Sequence, residues 1–448
     1  MCRGRNRRTT RRRVSPGLPV LIVLILGACS EHEADDLPAY EPGSFEGHTL
    51  VAADLLGTTA PELAVIGSST AKFFHADGDF LRSIELDDDS LVFGMTADVD
   101  GDGKQDLLFG SSGAPRPRIV GMNGSGTTVL ESVVTDLTLT FREMIPAAFR
   151  EDTVYAVATP TWPRSPRGIV AVDGVSGGIR WVSFIPAEPL GLHMYPDEDD
   201  VLSLFVSSAT TGTGTFSWLG LERRGLAGKD ATISTYRLTD SGEIEHTREL
   251  RFPAAAFGAP GEPLPVAGIL HSIGYDHRGY LLALLQPNDS AAPGAPTVPR
   301  EVLARVNLDD GVVHELFPPT RGRVIAAVRW DRPDASTDAS DILALVEAED
   351  RRSVIVLDEE LAASGKLELP RSSESSYHRS SPDGSTLKVS GDIGLVLQGD
   401  TVTVFDRSLT VIHRDTCPGL RDALVFAHAG RRRLAVLTDS LQVLTIPR

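Results

Sequence analysis

Apolar residues along this chain fall in short runs, and the wide-spaced stripe of a long amphipathic helix is absent. The runs are PELAVIG (61–67), QDLLFG (105–110), DTVYAVA (152–158), DDVLSLFV (199–206), GYLLALL (279–285), SDILALV (340–346), GDIGLVL (391–397) and RRLAVLT (432–438). Between them lie alternating segments folded around Gly, Asp or Ser: 73–86, 169–184, 235–250, 303–317, 354–369 and 402–415. β-branched and aliphatic runs separated by turn residues predict strands and hairpins. The unit recurs about every 40–60 residues, the period of a four-stranded blade. One such unit cannot bury its face alone and must pack against its neighbours around an axis. The predicted fold is therefore all-β, a single β-propeller over residues 46–448. Taking the eight runs as first strands gives eight blades, with seven as the alternative. The last unit ends in LQVLTIP (441–447), one strand short, and the segment near 38–46 is expected to close the ring and cover the open edge. Extra sequence at 209–231 and 253–278 predicts long loops, where binding usually sits.

The N-terminus reads differently. Seven arginines and no acids precede an apolar run from Leu18 to Leu26, too short to span a bilayer. A basic flank and short apolar core form the pattern of an export signal. The run ends in Leu26-Gly27-Ala28-Cys29, which resembles the lipobox of bacterial lipoproteins. That resemblance implies cleavage of residues 1–28 and lipid on Cys29. Residues 29–45 then form an acidic, proline-containing linker with a reach of about 50 Å. By resemblance to sorting in enteric bacteria, Ser30 implies the outer membrane. Arg11-Arg12 is only a fragment of the twin-arginine pattern.

Removing the leader takes the formal charge from -18 to -25. So acidic a chain repels nucleic acid and anionic lipid surfaces, and solubility alone accounts for much of such a charge. Of three cysteines only Cys417 lies beyond the linker, so no disulfide within the mature propeller is expected.

The most specific motif of the mature chain is Asp98-Val99-Asp100-Gly101-Asp102-Gly103-Lys104-Gln105-Asp106. Calcium takes six to eight oxygens, and alternate carboxylates on a tight loop supply them. Asp98, Asp100 and Asp102 occupy positions 1, 3 and 5, Gly103 permits the turn, and Lys104 offers its carbonyl. An EF-hand needs a bidentate Glu at position 12, where this chain has Phe109, so the loop is not an EF-hand. Segment 96–110 instead resembles an FG-GAP (or VCBS) repeat, as found in integrin-type propellers, which implies Asp106 as the completing ligand. Four acids so close repel strongly unless a cation lies between them. One structural calcium is the expected cofactor. The matching loop of the previous unit, Asp54 to Glu62, has lost the alternate acids and is expected to hold no metal. Asp331, Asp334, Asp338 and Asp341 form only a stretched version.

The segment Ala171-Val172-Asp173 to Gly177-Gly178-Ile179-Arg180-Trp181 resembles repeats of pyrroloquinoline-quinone-type propellers. No cofactor is carried over from that resemblance. Gly174 to Gly178 mimics a serine nucleophile elbow, but a hairpin lacks the strand-to-helix turn that chemistry needs. Trp162, Trp181, Trp218 and Trp330 are expected to pack between blades, with Trp218 in an extra loop as the exception. The expected function is a non-enzymatic, monomeric, lipid-anchored propeller that presents a loop-lined face to a protein or glycan. Two alternatives are an accessory lipoprotein for outer-membrane protein assembly and a polysaccharide-active enzyme.

Overall fold

The computed structural model describes residues 49–446 other than 59, 87–90, 113–116, 134–142, 160–166, 186–187, 197–201, 210–232, 254–263, 276–279, 288–300, 308–309, 318–322, 332–339, 349–350 and 371–384. The leader, Cys29, the linker and the segment 38–46 lie outside these, as do Trp162, Trp218, Asp334 and Asp338. The described residues form strands and turns without a helix. The chain is an all-β propeller. Eight consecutive antiparallel meanders span 49–85, 91–133, 143–185, 188–249, 264–317, 323–368, 385–416 and 422–445. Among the described residues, seven have four strands and the eighth has three. The fifth carries an extra two-residue strand, Arg251–Phe252, beside its inner strand.

Apolar side chains from adjacent meanders interlock. Leu107 and Phe109 of the second meander join Phe73 and Ile66 of the first. The ring closes in the same way, because Leu50, Leu63 and Val65 of the first meander pack against Leu424, Phe426 and Leu437 of the eighth. Each blade therefore completes its core only with a neighbour, as the repeat pattern required.

The phase of the repeat differs from the sequence expectation. The eight apolar runs are the second strands of their meanders, as Glu62–Ile66, Asp106–Ser112 and Thr153–Thr159 show. A first, inner strand precedes each one, for example Leu91–Ala97, Glu143–Arg150 and Arg323–Asp331. The second strands read clearly because both faces are covered; Ile393–Gln398 is buried at every position. Inner strands are crowded and irregular. Register shifts interrupt Leu91–Ala97 between Phe93 and Met95, and Arg323–Asp331 between Val324 and Ala326. Crowding also removes side chains: a Cβ on Gly110 would lie 1.8 Å from the Met144 carbonyl oxygen. That close approach lets the second strand of the second meander pair with the inner strand of the third, fusing the two meanders into one eight-stranded sheet.

The hairpins were placed correctly and all turn on a left-handed residue, three positions after the accepting carbonyl in five of them and four positions after it at Asp173 and Asn307. His75, Asn123, Asp173, Thr239, Asn307, Asp358 and Asp406 each accept, through the backbone carbonyl, the N–H of a left-handed residue. That residue is Gly78, Gly126, Gly177, Gly242, Gly311, Leu361 or Leu409. Glycine adopts this conformation without a Cβ clash. Leu361 and Leu409 adopt it while their side chains fill inter-meander cores. The Gly174–Gly178 segment is such a hairpin, and the Ser176 hydroxyl donates to Asp173 at 2.8 Å. Trp181, on the outer strand of the third meander, donates Nε1–H to the Asp240 carbonyl of the fourth, at 2.7 Å. Trp330 likewise ties the sixth meander to the seventh through the Gly391 carbonyl at 2.7 Å, so both described tryptophans pack between blades.

Candidate metal centre

The acidic loop connects the inner and second strands of the second meander. Ala97 pairs with Asp106 across that connection, just as Ala53 pairs with Glu62 in the first meander. The two loops are therefore equivalent in position and length, and their differences are chemical.

In the first loop the protein's own donors meet both oxygens of Glu62 and one of Asp54. Glu62 is buried; its Oε2 accepts the Leu55 and Leu56 N–H groups at 2.9 and 3.0 Å. Its Oε1 accepts the Thr58 hydroxyl at 2.7 Å. Asp54 accepts the Gly57 N–H at 2.7 Å. The extra methylene of Glu62 carries its carboxylate into the loop, where those backbone donors complete it.

The second loop keeps the frame and lacks this closure. Asp106 accepts the Val99 N–H at 3.0 Å, the counterpart of the Leu55 bond. Asp98 Oδ2 accepts the Gly103 N–H at 3.0 Å, and Asp100 Oδ1 accepts the Asp102 N–H at 3.1 Å. Asp98 Oδ1 is buried with no hydrogen-bond partner. A buried acceptor left unpaired costs on the order of 1–3 kcal/mol, more when charged. Carboxylate oxygens of Asp98, Asp100 and Asp106 lie within 4.8 Å of one another. Burial pushes the Asp106 carboxyl up to about 6, with the Asp100, Asp102 and Asp98 charges adding to the rise and the Val99 N–H opposing it. Three carboxylates within that reach, and an orphaned oxygen on one of those residues, fit a hard divalent cation.

Asp102 and Lys104 stand apart from that convergence. The Lys104 ammonium pairs with the Asp102 carboxylate, whose other oxygen accepts the Lys104 N–H at 2.9 Å. Hydrogen bonding to Lys104 holds the Asp102 carboxyl below its ordinary value. The Lys104 stem crosses the first meander's loop: a Cβ on Gly57 would lie 2.8 Å from Lys104 Cε. The Gln105 N–H also donates to the Asp54 carbonyl at 2.7 Å. The acidic loop is thus built into the junction between two meanders.

The stretched acidic set in the sixth meander does not assemble a comparable group among the described residues. Asp341 accepts Arg407 Nη1 at 3.1 Å, and Arg407 stacks over Trp330 at 4.6 Å. Asp341 there joins two blades through an ion pair. Sequence reasoning did not mark Glu62 as the residue that closes the first loop, nor Gln105 as the link from the second loop to Asp54. Their signal was available in the equal spacing of Asp54–Glu62 and Asp98–Asp106.

No family model matches this chain, and no curated protein matches it by sequence. Solved structures similar to it include the quinohemoprotein alcohol dehydrogenase ADHIIG of Pseudomonas putida HK5, at 12% identity and a TM-score of 0.49 over 88% of this chain and 70% of that one. A europium-containing methanol dehydrogenase is similar at 10% identity and a TM-score of 0.46, over 90% of this chain and 86% of that one. Synechocystis apocarotenoid oxygenase is similar at 11% identity and a TM-score of 0.41, over 69% of each chain. These correct the expectation of a non-enzymatic scaffold.

Proposed function

We propose that this protein is an exported, lipid-anchored β-propeller whose 98–106 loop takes one calcium ion and so fastens the second meander to the first. The observation that carries this reading is the contrast between twin loops. The first satisfies its carboxylates with its own donors, and the second leaves Asp98 Oδ1 buried and unpaired beside Asp100 and Asp106. Asp98, Asp100 and Asp106 supply the first oxygens. Asp102 and the Lys104 carbonyl join when the ammonium releases its carboxylate, and water completes the shell. Calcium fits this all-oxygen, flexible set better than magnesium, which demands near-ideal octahedral geometry. Calorimetric titration of the mature chain with calcium is expected to show one site, lost in Asp98→Ala. Absence of a calcium isotherm in the unsubstituted chain sinks the metal reading.

The anchor rests on Leu26-Gly27-Ala28-Cys29 behind a basic, acid-free flank. Cells fed labelled palmitate should label the chain and hold it in the membrane fraction. Cys29→Ala should abolish both. A soluble, unlabelled wild-type chain overturns the anchor and leaves the calcium loop untouched.

A further inference from the structure

We propose that Lys104 is a tethered competitor of the calcium ion: its ammonium holds Asp102 out of the site in the metal-free chain, and its stem, lodged at Gly57, carries the filling of the site to the first meander. The inference rests on the calcium reading above and names what regulates that site. Residue 104 engages Asp102 at both oxygens. The Lys104 ammonium pairs with Oδ2, and the Lys104 N–H donates to Oδ1 at 2.9 Å. The same ammonium attracts Asp100 and Asp106. It leaves the inner oxygens unmet. Asp98 Oδ1 is buried without a hydrogen-bond partner. Among the described residues Asp106, which is 1% exposed, bonds through Oδ2 alone, to the Val99 N–H. Calcium brings two charges and takes six to eight oxygens, and it gains Asp102 only by displacing the ammonium.

The twin loop ties this competitor to the metal site. Residues 54–62 and 98–106 correspond position for position. Where the second loop has Asp102, the first has Thr58, whose hydroxyl donates to Glu62 Oε1 at 2.7 Å. Where the second has Lys104, the first has Ala60. The loop that completes Glu62 with its own donors therefore carries no cationic side chain, and the loop left with open oxygens carries one.

Gly57 fixes where the lysine lies. Its φ is +72°, and a Cβ there would lie 2.8 Å from Lys104 Cε and 3.1 Å from Cδ. The stem thus occupies the space that a side chain at position 57 would fill. A lysine that leaves Asp102 moves its tip against that backbone, so occupancy of the second loop alters its contact with the first. A built-in cation also weakens the site, which keeps it responsive to the calcium concentration instead of permanently filled.

The test is calorimetric titration of the full chain with Cys29→Ala by calcium, beside Lys104→Met, Gly57→Ala and the two combined. Lys104→Met should tighten calcium about tenfold, the effect of removing one unit charge a few ångströms from the ion in a well-solvated site. Gly57→Ala displaces the stem without touching a ligand. It should tighten calcium in the Lys104 chain and add nothing in Lys104→Met, which separates a tether from a general change in stability. Acylation of Lys104, followed by mass spectrometry, should quicken when calcium fills the site, with Lys366 of the sixth meander as the unaffected reference. Equal calcium affinity of wild type and Lys104→Met, or an acylation rate of Lys104 that ignores calcium, would overturn the tether and leave the calcium reading standing. A Gly57→Ala effect that persists in Lys104→Met would overturn the coupling through the stem. Calcium bound by none of these chains would overturn the tether and the calcium reading together.

Discussion

Calcium in hundredfold excess over its dissociation constant is expected to raise the unfolding midpoint of the mature chain by about 3 °C over chelator. A ligand bound only by the folded state stabilises it by mass action, about 2.7 kcal/mol at that excess. Unfolding entropy scales with chain length at roughly 2 cal/mol/K per residue, so a chain of about 400 residues converts 2.7 kcal/mol into about 3 °C. A thousandfold excess adds about 1.4 kcal/mol more and takes the shift to about 5 °C. The effect should reach the whole ring. The loop is tied to its neighbour through the Gln105 N–H on the Asp54 carbonyl and the Lys104 stem across Gly57. Asp100→Ala removes one of the three converging carboxylates and should abolish the rise. Scanning calorimetry with calcium, with chelator and with the variant checks this. A midpoint that ignores calcium would reduce the loop to an acidic turn.

The acidic loop and the hairpins were legible because their information is local. Asp98, Asp100, Asp102 and Asp106 announce their chemistry by spacing, and a hairpin such as Asp406 to Thr410 carries its own capping carboxylate, which accepts the Ser408 and Thr410 N–H groups at 2.9 and 3.0 Å. Inner strands were missed because their residues answer to neighbours distant in sequence. Pro146 sits within Glu143–Arg150, and a Cβ on Gly94 would lie 2.4 Å from the Pro146 carbonyl oxygen, so a strand pattern is broken where two inner strands press together. The orphaned oxygen of Asp98 was equally hidden. Asp98 and Asp54 begin their loops alike, and only three-dimensional placement shows that Glu62 completes one loop while Asp106, shorter by one methylene, leaves the other incomplete.

Asp106 provides the sharper test, because calcium should reverse the sign of one substitution. Asp106 is 1% exposed, and burial raises its carboxyl in the folded chain to about 6, from an ordinary value of 3.8. A raised carboxyl favours the protonated folded state, so its contribution is fully present below pH 3.8 and is lost as pH rises toward 6. Above that, ionised Asp106 costs the metal-free fold roughly 3 kcal/mol relative to its neutral form, at about 1.4 kcal/mol for each factor of ten. Asn is the uncharged isostere, and its side-chain oxygen can still accept the Val99 N–H. In chelator at about pH 7.5, Asp106→Asn should therefore unfold about 3 °C above wild type, and that advantage should disappear by about pH 4. In calcium the order should invert. The carboxylate that was a liability becomes a ligand, and the amide binds the cation more weakly. Binding should also release protons near about pH 6, because the metal takes Asp106 only in its ionised form. Paired melts of the two chains across pH, with and without calcium, measure all of this. If Asp106→Asn is the less stable chain in chelator above its titration, the Asp106 carboxylate is already satisfied by the protein, and the loop has no unmet charge for calcium to answer.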